Sequence, residues 1–129
     1  MGRPNSSLPL ASPPPRFMKQ PEEFHWCADR LKALAEPERL RIITVLLSGP
    51  RTVGALADEL EDAVVKVSHH LGVLRHSGLV QTNKQGRFVE YSLHPEVFIV
   101  AEEGDDGDKY LNLGCCRLEL PGERRRKTR

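Results

Sequence analysis

The stretch VVKVSHHLGVLRHSGLV, Val64 to Val80, constrains this chain more than any other. Val67, Leu71 and Leu74 recur at i, i+4 and i+7, the buried stripe of one amphipathic helix. Ser68, Gly72 and Arg75 share that spacing on another face, with Lys66 and His69 beside them. That face carries donors and charge with little bulk. Ser77-Gly78 stops the helix, and Leu79-Val80 opens an extended segment. A short helix that is apolar on one side and donor-rich on the other suits a DNA major groove. The groove admits one helix, and short polar side chains reach base edges from it. The same pattern describes a core helix with a solvated face, so the rest of the chain has to decide.

Upstream, Glu22 to Ala35 reads as a first helix with Phe24, Cys27, Leu31 and Leu34 as its stripe. Trp26 lies off that stripe and widens the apolar surface. A helix apolar on more than one side must bury both, and a second subunit is the expected cover. Glu36-Pro37 is a break and a restart, with proline at the first helical position and Glu38 suiting the helix dipole. Leu40, Ile43 and Leu47 face the core until Ser48-Gly49-Pro50 ends the helix. Thr52 is expected to cap a third helix, Val53 to Leu60, with Leu56 and Leu60 buried. Glu61-Asp62-Ala63 is a tight connector, and Asp62 is expected to cap the next helix. Two short helices, a tight turn and an outward-facing donor helix make a helix-turn-helix.

Downstream, Gln81 to Lys84 and Arg87 to Leu93 read as the strands of a hairpin, with Gln85-Gly86 as its turn. Phe88, Val89 and Tyr91 are good strand residues. Lys84 and Arg87 flank the tip. A basic-tipped hairpin beside such a helix is a wing, whose tip tracks phosphates or enters the minor groove. The candidate DNA contacts are therefore Lys66, Ser68, His69 and Arg75 on the helix and Lys84, Gln85 and Arg87 on the hairpin. Pro95 to Ile99 reads as a short helical turn. Tyr110 to Leu120 reads as a strand or extended segment whose apolar parity flips at Gly114, as a bulge requires.

Charge is distributed to match. The formal net charge is +1. Glu22 to Phe98 carries 9 Lys/Arg and 11 Asp/Glu, a balance of −2, whereas Val64 to His94 has a balance of +3. Positive charge gathers on the candidate DNA face, so binding is expected to be modest and salt-sensitive. The chain divides into a disordered Pro-rich tail (1–21), a winged helix-turn-helix domain (22–98), an acidic loop with a C-terminal extended segment (99–121) and a basic tail (122–129). Met18 is an alternative start. No apolar run is long enough to span a membrane, and no signal-peptide core opens the chain. Three cysteines form no even framework, which fits a reducing compartment. A cytoplasmic protein without membrane contact is expected.

The segments LKALAEPERLRIITVLL, TVGALADEL, VSHHLGVLRHSGLV and KQGRFVEYSL lie within Cys27 to His94. They resemble the ArsR/SmtB family of winged-helix repressors, with its LADPTRLRIL, LAEAL, VSRHLxVLRxAGLV and RxGRxVxY patterns. The match covers about half the chain. The resemblance implies a winged helix-turn-helix fold, mainly α with a small β-hairpin, and a homodimer bound to a two-fold symmetric DNA operator. It puts Ser68 and His69 at the base-contacting positions and Lys84 and Arg87 on the wing. His70 takes the second polar slot and is expected to brace the helix. Glu36 replaces the usual cap Asp, and Gly72 replaces a common Lys/Arg, losing a phosphate contact.

The resemblance also raises metal sensing. The cysteine pair of the arsenic and cadmium sensors would lie near Glu59 to Asp62 and is missing, as is a C-terminal helix with zinc ligands. What remains is Cys27 with Cys115 and Cys116. Three thiolates suit As(III) or another soft thiophilic ion. The homodimer is expected to form through the first helix and the C-terminal segment, which would bring these cysteines together. Two other readings stay open: thiol redox sensing, and no cysteine function, with Cys116 in the core and Cys115 outside as strand alternation dictates. A winged-helix protein-interaction module is the alternative to a DNA-binding regulator. No acid/base pair, phosphate loop or nucleophile motif points to an enzyme.

Overall fold

The computed structural model describes residues 21–100 and 109–121. The Pro-rich tail, the acidic loop and the basic tail read from the sequence fall almost wholly outside the described residues. Helix α1 (Pro21–Leu34) is followed by α2 (Pro37–Leu46), strand β1 (Arg51–Thr52), α3 (Val53–Leu60) and α4 (Val64–His76). Strands β2 (Val80–Gln85), β3 (Phe88–Leu93), β4 (Phe98–Val100), β5 (Lys109–Asn112) and β6 (Arg117–Leu118) complete the order. Four helices and a hairpin in this sequence make a winged helix-turn-helix, as expected. Among the described residues no helix is long and apolar enough to cross a membrane.

The helix starts follow local chemistry. Pro37 opens α2, where its missing N–H is no loss. Glu36 stands at the cap position without a side-chain bond. Thr52 Oγ1 accepts from the Ala55 amide at 3.1 Å and caps α3. Asp62 does not cap α4. Its Oδ1 accepts from the adjacent Ala63 amide at 2.8 Å, too early in the chain, and Ala63 is the cap residue. Glu61 ends α3 at φ 56, a left-handed conformation that lets the chain turn within three residues.

Each helix gives one face to a shared core. Ile42 and Ile43 of α2, Leu56 of α3 and Val67, Leu71 and Leu74 of α4 are fully buried together. Burying a side chain of this size stabilises by about 1.5–3 kcal/mol, so this cluster fixes how α4 sits. In α1 the buried face is Cys27, Arg30, Ala33 and Leu34. Phe24 and Leu31, expected on that stripe, are exposed, as is Trp26. They lie one helical step to the side, on a face that a single chain leaves uncovered.

The first sheet has the order β1-β3-β2, all antiparallel. Gln85 pairs with Phe88, so the turn is Gly86-Arg87, one residue later than expected, with Gly86 at φ 63. Gln85 is the last strand residue rather than part of the turn. A second antiparallel sheet, β4-β5-β6, was not foreseen. The turn expected over Pro95 to Ile99 is present at Pro95 to Val97, where the Val97 and Phe98 amides donate to the His94 carbonyl, but Phe98 to Val100 continues as a strand because it pairs with β5. The C-terminal segment is a hairpin rather than one bulged strand. Gly114 at φ 100 turns the chain, and Leu111 and Leu113 stay buried. Lys109 Nζ donates to the Leu47 carbonyl at 3.2 Å, which ties β5 to the end of α2.

Candidate DNA interface and cysteine cluster

The outer face of α4 is built by elimination. Val67, His70, Leu71 and Leu74 point into the molecule, which leaves Lys66, Ser68, His69, Gly72 and Arg75 exposed. Lys66 Nζ lies 3.7 Å from Asp62 Oδ1, an exposed pair of little stabilising value that frees the ammonium readily. Val64 and Val65 at the start of α4 are also exposed. Arg75 and His76 occupy the last turn, where cations suit the helix dipole. Next to this face the β2–β3 hairpin presents Lys84, Gln85 and Arg87, all exposed at its tip. The structure thus puts all seven candidate DNA contacts on the surface, four on α4 and three on the wing.

A groove of about 860 Å³ runs between α1 and α4. Asp29 and Lys32 form one wall, Ser68, His69 and Gly72 the other. A side chain at Gly72 would meet nothing within 4 Å, so the position has room for a larger residue.

His70 behaves as the sequence suggested. It is buried, and its Nδ1 lies 3.2 Å from Arg39 Nη1. Arg39 also donates from Nε to the Ala33 carbonyl at 2.5 Å. Glu36 and Glu38 bring oxygens within 4.8 Å of the same imidazole, but the guanidinium already occupies one ring nitrogen. Sequence reasoning passed over Arg39. Its only sign was its place among the apolar residues that open α2.

The three cysteines come together. Cys27 and Cys115 form a disulfide with Cα atoms 5.9 Å apart, and Cys116 Sγ lies 3.8 Å from Cys115 Sγ. Strand alternation had put Cys116 in the core and Cys115 outside. The reverse holds: Cys116 is exposed and Cys115 packs against the core. The turn at Gly114 breaks the alternation on which that expectation rested. The odd cysteine count had argued against any pairing, yet two of the three are bonded. Beside them Arg30 is buried under the Trp26 ring at 3.7 Å, and Trp26 lies against Gly114. Burial pulls the Arg30 guanidinium below its ordinary value, and the carboxylate of Glu96 opposes that shift. The Arg30 Nε has no hydrogen-bond partner among the described residues.

Residues 36–82, which include α2, α3 and α4, match the family of bacterial regulatory proteins described as the arsR family. The chain is similar to the HTH-type transcriptional regulator NmtR of Mycobacterium tuberculosis, 41% identical over 67% of this chain and 73% of that protein. It is similar to the arsenical resistance operon repressor of Escherichia coli, 40% identical over 51% of this chain and 57% of that repressor. Its fold is close to a solved homodimeric winged helix-turn-helix DNA-binding domain from Mycobacterium bovis. That likeness has a TM-score of 0.54 at 32% identity, over 57% of this chain and 68% of the other.

Proposed function

Because this chain belongs to the arsR family of bacterial regulatory proteins and is a DNA-binding transcriptional regulator, we propose that it is a repressor that binds a two-fold symmetric operator as a homodimer. The observation that carries this reading is the exposed face of α4 beside the basic wing tip. Ser68 and His69 offer hydrogen-bonding groups to base edges, and Lys66 and Arg75 offer charge to the flanking phosphates. Lys84, Gln85 and Arg87 contact the neighbouring backbone or minor groove. Lys32 of α1 lines the same groove as Ser68 and His69 and adds a cation beside this face.

The dimer reading rests on α1. Phe24, Trp26 and Leu31 are large apolar side chains left open to water in one chain. A second copy covering them through α1 and the C-terminal hairpin would pair two α4 helices, and a two-fold operator asks for them one helical turn of DNA apart, about 34 Å. The homodimeric state of a solved relative supports this.

The effector site is Cys27, Cys115 and Cys116, whose sulfurs lie within 4.8 Å of one another. Their softness fits As(III). Binding would require the disulfide reduced by a cellular thiol, which gives two thiols and one oxidised thiol pair. Arsenous acid then forms three As–S bonds to the three thiols, and each thiol proton leaves with one displaced hydroxyl as water, three waters in all. Because the cluster links α1 to the C-terminal hairpin, closing it would shift the dimer face and respace the two α4 helices. Operator affinity would fall by a coupling free energy of about 1–3 kcal/mol. The Cys27–Cys115 bond itself favours a second reading, release or retention of DNA set by thiol oxidation.

Charge reversal tests the DNA reading. K66E and R87E should each abolish retention of duplex at physiological salt. Unchanged retention in both would point to a protein-interaction module. Ultraviolet thiolate absorption of the reduced chain during arsenite titration separates the effector readings.

A further inference from the structure

Phe88 is 64% exposed at the end of the wing, one residue beyond the Gly86-Arg87 turn. Strand alternation explains which way it faces. Tyr91 and Leu93 share the inner face, where Leu93 is buried and Tyr91 packs on the cluster, and Val89 continues that face out to the exposed tip. Phe88, Glu90 and Ser92 therefore lie on the opposite face, paired with Gln85, Asn83 and Gln81. On that face the ring has Gln85 opposite it and Asn83 diagonal to it, with Arg87 next to it in the turn, while Lys84, paired with Val89, lies on the other face of the hairpin tip. Glu90 is the lone acid of the hairpin and pairs two positions back from the ring. The ring packs on no part of the core, and the hairpin pairs that lie against the core are Val80–Leu93 and Thr82–Tyr91. Its surroundings suit a partner that is anionic outside and has flat apolar faces inside. Stacked base pairs seen from the minor groove are that partner.

We propose that Phe88 is a specificity-determining wedge. It enters the minor groove beside each half-site and opens one base step, while Asn83 and Gln85 meet the groove edges and Lys84 and Arg87 hold the phosphates. Minor-groove proteins combine these parts: amide and cationic side chains on the edges, an apolar wedge in the stack. Pyrimidine–purine steps open most easily, so the protein would prefer TA at the flanking position without reading it through hydrogen bonds. The inference rests on the wing reading above and adds to it a sequence preference outside the α4 contacts.

The test uses the full chain and duplexes carrying a selected operator, with 2-aminopurine in a flanking TA step. Wild type should raise the fluorescence on binding. F88A should remain dimeric, keep the salt dependence of wild type, leave the probe dark and lose about tenfold in affinity for the TA-flanked duplex. On a duplex whose flanks are stiff A-tracts, F88A and wild type should bind alike. F88L, a smaller wedge, should recover part of both signals. A dark probe with wild type overturns the proposal, as does an F88A that keeps the wild-type ratio between the two flanks. A monomeric F88A would assign the ring to the subunit contact and overturn it equally. If wild type binds but K84A and R87A leave the salt dependence unchanged, the wing reading fails and the wedge falls with it.

Discussion

Arg39 and His70, 31 residues apart in sequence, meet at 3.2 Å where α2 packs on α4. With the Arg39 Nε on the Ala33 carbonyl, one side chain ties the end of α1, the start of α2 and the middle of α4. Nδ1 must be unprotonated to accept, which puts the ring proton on Nε2. The contact holds the helix that carries Ser68 and His69 from behind.

R39A and H70A should each lower stability by about 1.5–3 kcal/mol, the range for a hydrogen bond to a charged group. Their effects should be strongly non-additive in a double-mutant cycle by chemical denaturation. Additive losses would mean that the two side chains act separately.

Gly72 gives the opposite expectation. It is exposed in the middle of α4, and a new side chain meets only open space. G72K should raise stability by about 1 kcal/mol through helix propensity alone. It should also steepen the salt dependence of DNA binding by about one unit, through one added phosphate contact. A weaker complex would show that the duplex backbone needs the space that glycine leaves.

Much of this was legible in the sequence, for reasons visible in the residues. Val67, Leu71 and Leu74 set α4 because a helix has one period and the stripe has the same one. Thr52 marked the start of α3 because its hydroxyl has one natural partner there. The misses occur where spacing underdetermines geometry. Gly86 signalled a turn without fixing whether it came first or second in it. Phe24 and Leu31 fit an apolar stripe as well as Cys27 and Leu34 do, and only packing chose between them. The parity of Cys115 and Cys116 depended on an unbroken strand, which Gly114 interrupts. Of the site, the cationic and donor residues could be read directly. Arg39 could not, because its side-chain partner His70 lies 31 residues further along the chain.

Arg30 carries a further expectation. Its guanidinium is buried, stacked on Trp26 and incompletely hydrogen-bonded among the described residues. Replacing a buried charge with an apolar side chain of similar volume is often neutral or stabilising, by up to about 1–4 kcal/mol. R30M should therefore match or exceed wild type in thermal unfolding, whereas R30A should fall below it by leaving a cavity. A large loss in R30M would show that the attraction of Glu96 and the Trp26 ring outweighs the cost of burial.

The cysteines separate by position. Cys27 and Cys115 are 88 residues apart, and closing a loop of that size stabilises by at most about 4–5 kcal/mol. Reduction, or C27S, should lower stability toward that limit and expose the β5 amides to hydrogen exchange before those of α4. C116S should leave stability unchanged, since that thiol is exposed. It should weaken arsenite binding by the reduced chain, by removing one of three ligands. Equal arsenite affinity in C116S and wild type would exclude the three-sulfur site.

The central claim is that two copies of α4 and its wing read one symmetric duplex. Selection of bound duplexes from a random pool, with the purified chain, tests it most directly. The account predicts enrichment of an inverted repeat whose half-sites are centred about one helical turn apart. Enrichment of a single unpaired half-site, or of no sequence at all, would contradict it.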